Sequence, residues 1–229
     1  MVRKFIAILG ISALTFAPIS AAKADSSIVV FAASSLSDSY TAIGKRYEKL
    51  NPGIRVIFSF QSSSVLVNQI EEGAPADIFV SAEPFFGGEN YLVNRVVVAV
   101  PINSSIKRVS DLNNRTWIQC ALEVPCGKAA AAALSNENVK TPPVSLEPKA
   151  STVLAKLLSG NVDAAIVYRT DVLANSKSIR AIEFSNLNAA ATQYQIAQIT
   201  RNRNVSAFFG FLKSKATLTF LQRKGFDLK

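Results

Sequence analysis

Between Ile28 and Val80 the hydrophobic period of the chain switches repeatedly, and this alternation limits the folds open to it more than any other feature. Ile28 to Ala33 (IVVFAA) is a continuous apolar run of the kind shown by strands buried on both faces. Leu36, Tyr40, Ile43, Tyr47 and Leu50 then recur at steps of four and three, a helical stripe that Asn51-Pro52-Gly53 stops. Ile54 to Phe60 (IRVIFSF) alternates as a strand, and Ser62 to Glu72 reads as a helix ended by Gly73 and Pro75. Ala76 to Val80 (ADIFV) is a third strand. The order β-α-β-α-β predicts a mostly parallel sheet covered by helices.

The same grammar returns in the middle of the chain. Arg95 to Pro101 (RVVVAVP) and a stretch near Thr116 to Ala121 read as strands, followed by an alanine-rich helix from Gly127 to Leu134. A helix from Ser151 to Leu158 and a strand from Ala164 to Tyr168 complete the second unit. Two α/β units predict two lobes, one at 25–95 with 192–229 and the other at 96–191. The end reads as two helices, Val205 to Leu212 and Thr217 to Lys224, with Phe208, Phe209, Leu212 and Leu221 in the core.

The first residues predict an export signal at 1–24. Arg3 and Lys4 precede an apolar run from Phe5 to Phe16, and Ala22-Lys23-Ala24 offers a cleavage site before Asp25. An uncleaved anchor is the alternative, since Phe5 to Ala22 is just long enough to span a bilayer. Cleavage would take Arg3, Lys4 and Lys23 with it, lowering the net charge from +9 to 25−3−16 = +6. The remaining basic residues are scattered and form no basic runs interleaved with aromatics, so no nucleic-acid partner is expected. Cys120 and Cys126 sit in one short stretch of an exported chain, where an oxidising compartment favours a disulfide; two buried, reduced side chains are the alternative.

Histidine is absent. Its absence removes the commonest general base, the usual partner of a nucleophilic serine or cysteine, and the usual transition-metal ligand. A serine hydrolase using Ser35 or Ser63 would need a Ser/Lys arrangement, and neither serine lies in a G-x-S-x-G elbow. Catalysis by those routes is nearly excluded, and the chain is not expected to be an enzyme.

Three strand-to-helix junctions carry small uncharged residues: Ser34-Ser35, Ser62-Ser63-Ser64, and Val124-Pro125-Cys126-Gly127. Lys149-Ala150-Ser151 opens a fourth helix, and Tyr168 ends the strand AAIVY. In open α/β sheets ligands bind at the carboxyl ends of the strands, where free N–H groups and the positive dipole end of each following helix favour anions. A single serine at such a place is ordinarily an N-cap, but three in a row exceed what one cap requires.

The segments FAASSL, SFQSSSVLVNQIEEGAPADIFVSAEP, VPCGKAA, SGNVDAAIVYRTDV and FLKSKATLTFLQRKGF resemble the periplasmic molybdate-binding family of ABC importers, ModA, within the type II solute-binding fold. That resemblance implies an α/β molecule of two lobes, each with a mixed, mostly parallel sheet flanked by helices, joined by hinge crossovers and closing over molybdate or tungstate. It implies ligand contacts from Ser35 and Ser63, from backbone N–H groups at Cys126 and Ala150, and from Tyr168, with Ser62 and Ser64 left to cap the helix and hold the turn. No cofactor is implied; molybdenum enters only as the oxyanion, the partner is an ABC transporter permease in the membrane, and the protein acts as a periplasmic or extracellular monomer. The alternative on the same fold is another oxyanion such as sulfate or phosphate. Two departures stand out: only Phe85 to Val93 fills a region where the family usually has a further helix and loop, and Lys149-Ala150-Ser151 differs from the usual pattern.

Overall fold

The computed structural model describes residues 26–229, so the expected export signal lies outside the described residues. In chain order the elements are β1 (Ser26–Ala33), a 3-10 turn (Ser34–Leu36), α1 (Ser37–Leu50), β2 (Ile54–Gln61), α2 (Ser63–Glu71), β3 (Ile78–Ser81) and β4 (Glu89–Pro101). There follow a second 3-10 segment (Val109–Asn114), β5 (Trp117–Cys120), α3 (Pro125–Leu134), β6 (Ser145–Glu147), α4 (Ala150–Leu158), β7 (Ala164–Tyr168), α5 (Arg169–Ala174) and β8 (Ile179–Ile182). The chain ends in β9 (Ala191–Gln198), α6 (Arg203–Leu212), α7 (Lys215–Arg223) and β10 (Asp227–Leu228).

The expected parallel core is present. β1 runs parallel to β2 along its whole length, with Ser26 opposite Ile54 and Ala33 opposite Gln61, and parallel to β3 on its other side. The helical stripe of α1 faces this sheet: Leu36, Tyr40, Ile43 and Tyr47 are buried, whereas Leu50 lies past the stripe and is exposed. Gly53 makes the turn into β2 at φ 89°, a left-handed conformation that costs glycine nothing. Of the expected terminal core residues, Phe208, Leu212 and Leu221 are buried and Phe209 is partly buried.

β4 is longer than its apolar run suggests. Its first part, Glu89 to Arg95, pairs antiparallel with β9, and its second part, Val96 to Pro101, pairs antiparallel with β7 and β8. Polar residues at Glu89, Asn90 and Asn94 hid this extension, because the strand leaves one lobe and enters the other within a few residues. The segment 89–93 thus stands in the first sheet, and Phe85 just before it packs its ring on Phe79 with centroids 4.7 Å apart.

The hydrophobic core divides at the same place. One cluster gathers Tyr91, Leu92, Tyr194 and Phe208 with the apolar faces of β1, α1 and α6. The other gathers Val96 to Val100 with Trp117, Ile118, Val153 and the apolar face of β7. Asn94 and Arg95 lie between them, and the Val96 N–H donates to the Ala190 carbonyl at 2.9 Å, so both crossing segments meet there. Among the described residues no helix is long and apolar enough to cross a membrane.

Candidate functional site

Four helix starts converge on one place. α2, α3 and α4 begin at Ser62, Val124 and Lys149, and at none of these positions does a side chain cap the helix. The 3-10 turn after β1, starting at Ala33, is equally uncapped. Two helices that lead elsewhere are capped, Asn202 accepting from the Val205 N–H of α6 and Ser214 from the Thr217 N–H of α7, whereas α1, α5 and the second 3-10 segment are not. The first turns facing the site thus keep their leading N–H groups for something other than the protein's own caps. Ser62 occupies the N-cap position without capping, and its hydroxyl faces that of Ser64 at 3.4 Å. The expected capping role is corrected accordingly, while the expected role in the turn agrees with this Ser62–Ser64 contact.

The cavity between these starts is lined by Ser34, Ser35, Ser62, Ser63, Cys126, Lys149, Ala150 and Tyr168 with a few small neighbours. It is small and partly open to solvent. All five residues singled out from the sequence, Ser35, Ser63, Cys126, Ala150 and Tyr168, border it. They come from both parts of the sheet: Ser35 follows β1, Ser63 follows β2, Cys126 and Ala150 open α3 and α4, and Tyr168 ends β7.

The hydroxyls are held by named partners. Ser63 Oγ accepts the Ala82 N–H at 2.8 Å in a fully buried bond, so its own proton is free to point into the cavity. Ser35 Oγ and the Tyr194 hydroxyl lie 2.7 Å apart. The Tyr168 hydroxyl donates to Thr192 Oγ1 at 3.3 Å, a long bond. Burial pushes the phenols of Tyr168 and Tyr194 well up from their ordinary value, so both keep their protons and act as neutral donors.

The loop that presents the Cys126 N–H is built around a close approach. A Cβ on Gly127 would lie 1.8 Å from the Ala121 carbonyl oxygen, so only glycine lets the start of α3 sit against the end of β5. The expected disulfide is formed: Cys120 and Cys126 are bonded, with Cα atoms 5.7 Å apart, tying the strand end to the helix start. One cation also stands here, since Lys149 borders a cavity whose other junctions are uncharged.

Glu83, which follows Ala82 of the cavity lining, and Lys128 on α3 form an ion pair and line a neighbouring groove. Behind the site, Asp171 accepts the Tyr168 N–H at 3.1 Å. Burial pushes its carboxyl up to about 7, against the lowering effect of that N–H and with a further rise from Asp38. Sequence reasoning missed Tyr194, Thr192 and Ala82. A signal existed for the first two: in Ala191–Gln198, Thr192, Tyr194 and Ile196 alternate inward at the two-residue period of a strand.

Known proteins match this chain along nearly all of the described residues. The family model described as bacterial extracellular solute-binding protein matches residues 28–227. Molybdate-binding protein ModA of Escherichia coli K12 is 30% identical over 259 aligned positions that cover 100% of both chains. Molybdate-binding protein ModA of Mycobacterium tuberculosis H37Rv is 30% identical over 219 positions, covering 87% of this chain and 84% of that protein. The solved periplasmic molybdate-binding protein of Azotobacter vinelandii superposes with a TM-score of 0.72 at 17% identity, covering 88% of this chain and 99% of its own, which establishes the shared fold. The chain belongs to the bacterial extracellular solute-binding protein family, in the type II fold, with ModA proteins among its relatives.

Proposed function

We propose that the protein captures molybdate or tungstate outside the cytoplasm and delivers it to the permease of an ABC importer. The observation that carries this reading is the convergence of uncapped helix starts and protonated hydroxyls from both lobes on one cavity. Ser35 and Ser63 would donate through hydroxyls, Tyr168 by turning toward the anion the proton that it gives Thr192 in the structure, and Cys126 and Ala150 through backbone N–H groups. A dianion that carries no proton suits such a site, because every bond it needs is one it accepts. Hydrogen bonds to a charged acceptor contribute about 1.5–3 kcal/mol each. Five of them supply roughly 8–15 kcal/mol before desolvation and closure are subtracted, against about 12 kcal/mol for nanomolar affinity.

The role is binding: no bond of the anion is made or broken, and no cofactor takes part. We take the lobes as 25–95 with 192–229 and 96–191, working as a monomer after loss of a leader at 1–24. Lys149 at the cavity supports a second reading, another oxyanion such as sulfate or phosphate, since a cation at the rim adds affinity for any anion. Thermal unfolding with each anion separates the two. Ligand at 100 times its Kd stabilises by about 2.7 kcal/mol, a rise of about 5–10 °C in Tm for a chain of this size. Molybdate and tungstate are expected to give that rise at micromolar concentration. A rise with phosphate and none with molybdate, in folded and ligand-free protein, would favour the second reading.

A further inference from the structure

We propose that Tyr194 is a positioning residue for ligand capture: by donating its phenolic proton to Ser35 Oγ, it leaves the only proton of the serine for the anion in the cavity. This rests on reading the cavity as an oxyanion site. The two hydroxyls lie 2.7 Å apart, and only one of their two protons can occupy that bond. If Ser35 donated to Tyr194, the serine would turn lone pairs toward the cavity and repel an anion. If Tyr194 donates, Ser35 becomes a donor facing the ligand.

The surroundings of Tyr194 suit the second arrangement. The side-chain oxygen of Asn94 is spent on the Arg95 N–H at 2.9 Å, and its amide nitrogen donates to Thr170 Oγ1 at 2.9 Å. That assignment turns the amide hydrogens of Asn94 toward Thr170. Once Ser35 gives its proton to an anion in the cavity, the 2.7 Å contact persists as a hydrogen bond with Tyr194 as the donor. Tyr194 is fully buried, its ring packed edge-on against Phe226 with centroids 5.9 Å apart, so the hydroxyl cannot swing away to water. The residue also stands on β9, two positions beyond Thr192, which is the partner of Asn94 across the crossing strands. The serine in one lobe is thus oriented from the segment that joins the two.

Molybdate titration of four proteins tests this: wild type, Tyr194→Phe, Ser35→Ala, and the double variant. Phenylalanine keeps the buried ring and removes one oxygen. Tyr194→Phe is expected to weaken molybdate binding by about three- to tenfold, the range of one net hydrogen bond. In the Ser35→Ala background the same change is expected to alter affinity less than about twofold, because the effect passes through Ser35. Wild-type affinity retained in Tyr194→Phe, or an equal loss in both backgrounds, would overturn the proposal. As a check that needs no change at 194, ring-13C tyrosine NMR of the wild-type chain is expected to show the Tyr194 signal moving on addition of molybdate. Ser35→Ala is expected to move the same signal without ligand. A signal indifferent to both would overturn the proposal too. Absence of molybdate binding by the wild type would refute the oxyanion reading itself, and is read first.

Discussion

Ser63 Oγ spends an acceptor lone pair on the Ala82 N–H, which leaves it a donor to the cavity. Ser63→Ala removes one charge-assisted bond from the proposed ligand and is expected to raise the Kd for molybdate by about 10- to 100-fold in a calorimetric titration. Asp171 gives a prediction of a different kind. Its carboxyl is held near 7 in the folded protein against an ordinary 3.8, so between these values the native state holds a proton that the unfolded chain has released. The group therefore weakens the fold progressively as pH rises from about 4 to 7, and contributes nothing below that window. Asp171→Asn keeps an oxygen to accept the Tyr168 N–H, and urea melts are expected to show its stability gaining on the wild type across that range. Equal pH profiles for the two proteins would refute this assignment. At this scale much of the site was legible in the sequence, because small polar residues after apolar runs mark strand ends. Tyr194 was not legible. It is one aromatic in an alternating stretch, and its importance depends on a 2.7 Å contact with a residue 159 positions away.

The start of α3 is the element where packing and function are most tightly joined. Gly127→Ala would drive a methyl group into the Ala121 carbonyl, so the helix start must shift and carry the Cys126 N–H with it. The expected outcome is a loss of about 1–3 kcal/mol in stability together with weaker ligand binding, measured by unfolding and titration of the same preparation. Opening the Cys120–Cys126 bond, which closes a loop with a sequence separation of 6, is expected to cost about 2 kcal/mol of stability by the chain-entropy relation. The core helices α1, α6 and α7 were readable from period alone, because one apolar face per helix is all that their burial requires. β9 and the start of β4 were not read, since crossing strands contact both lobes and carry polar residues such as Asn94 and Thr192 at buried positions. Hydrophobic period encodes burial against one sheet, and a segment that leaves one core for another breaks it.

At the scale of the whole molecule, the two cores are linked by the crossing segments, and the cavity is lined from both. The Glu83–Lys128 pair ties the segment after β3 to α3, next to Ala82 and Pro125 of the cavity lining. Lys128 is largely exposed, so the pair is worth about 0.2–1 kcal/mol and is screened by salt. Lys128→Met is expected to speed ligand release by about two- to fivefold at low ionic strength, with the difference shrinking at high salt, as stopped-flow displacement would show. The central claim is that this cavity holds a fully deprotonated tetrahedral oxyanion through donors drawn from both lobes. Isothermal titration of the folded, ligand-free mature protein with molybdate tests it most directly. The account expects one anion per chain with a Kd below about 1 µM, and much weaker binding of sulfate, whose shorter bonds reach fewer donors. A titration with no heat for molybdate or tungstate, and no rise in Tm with either, would contradict it.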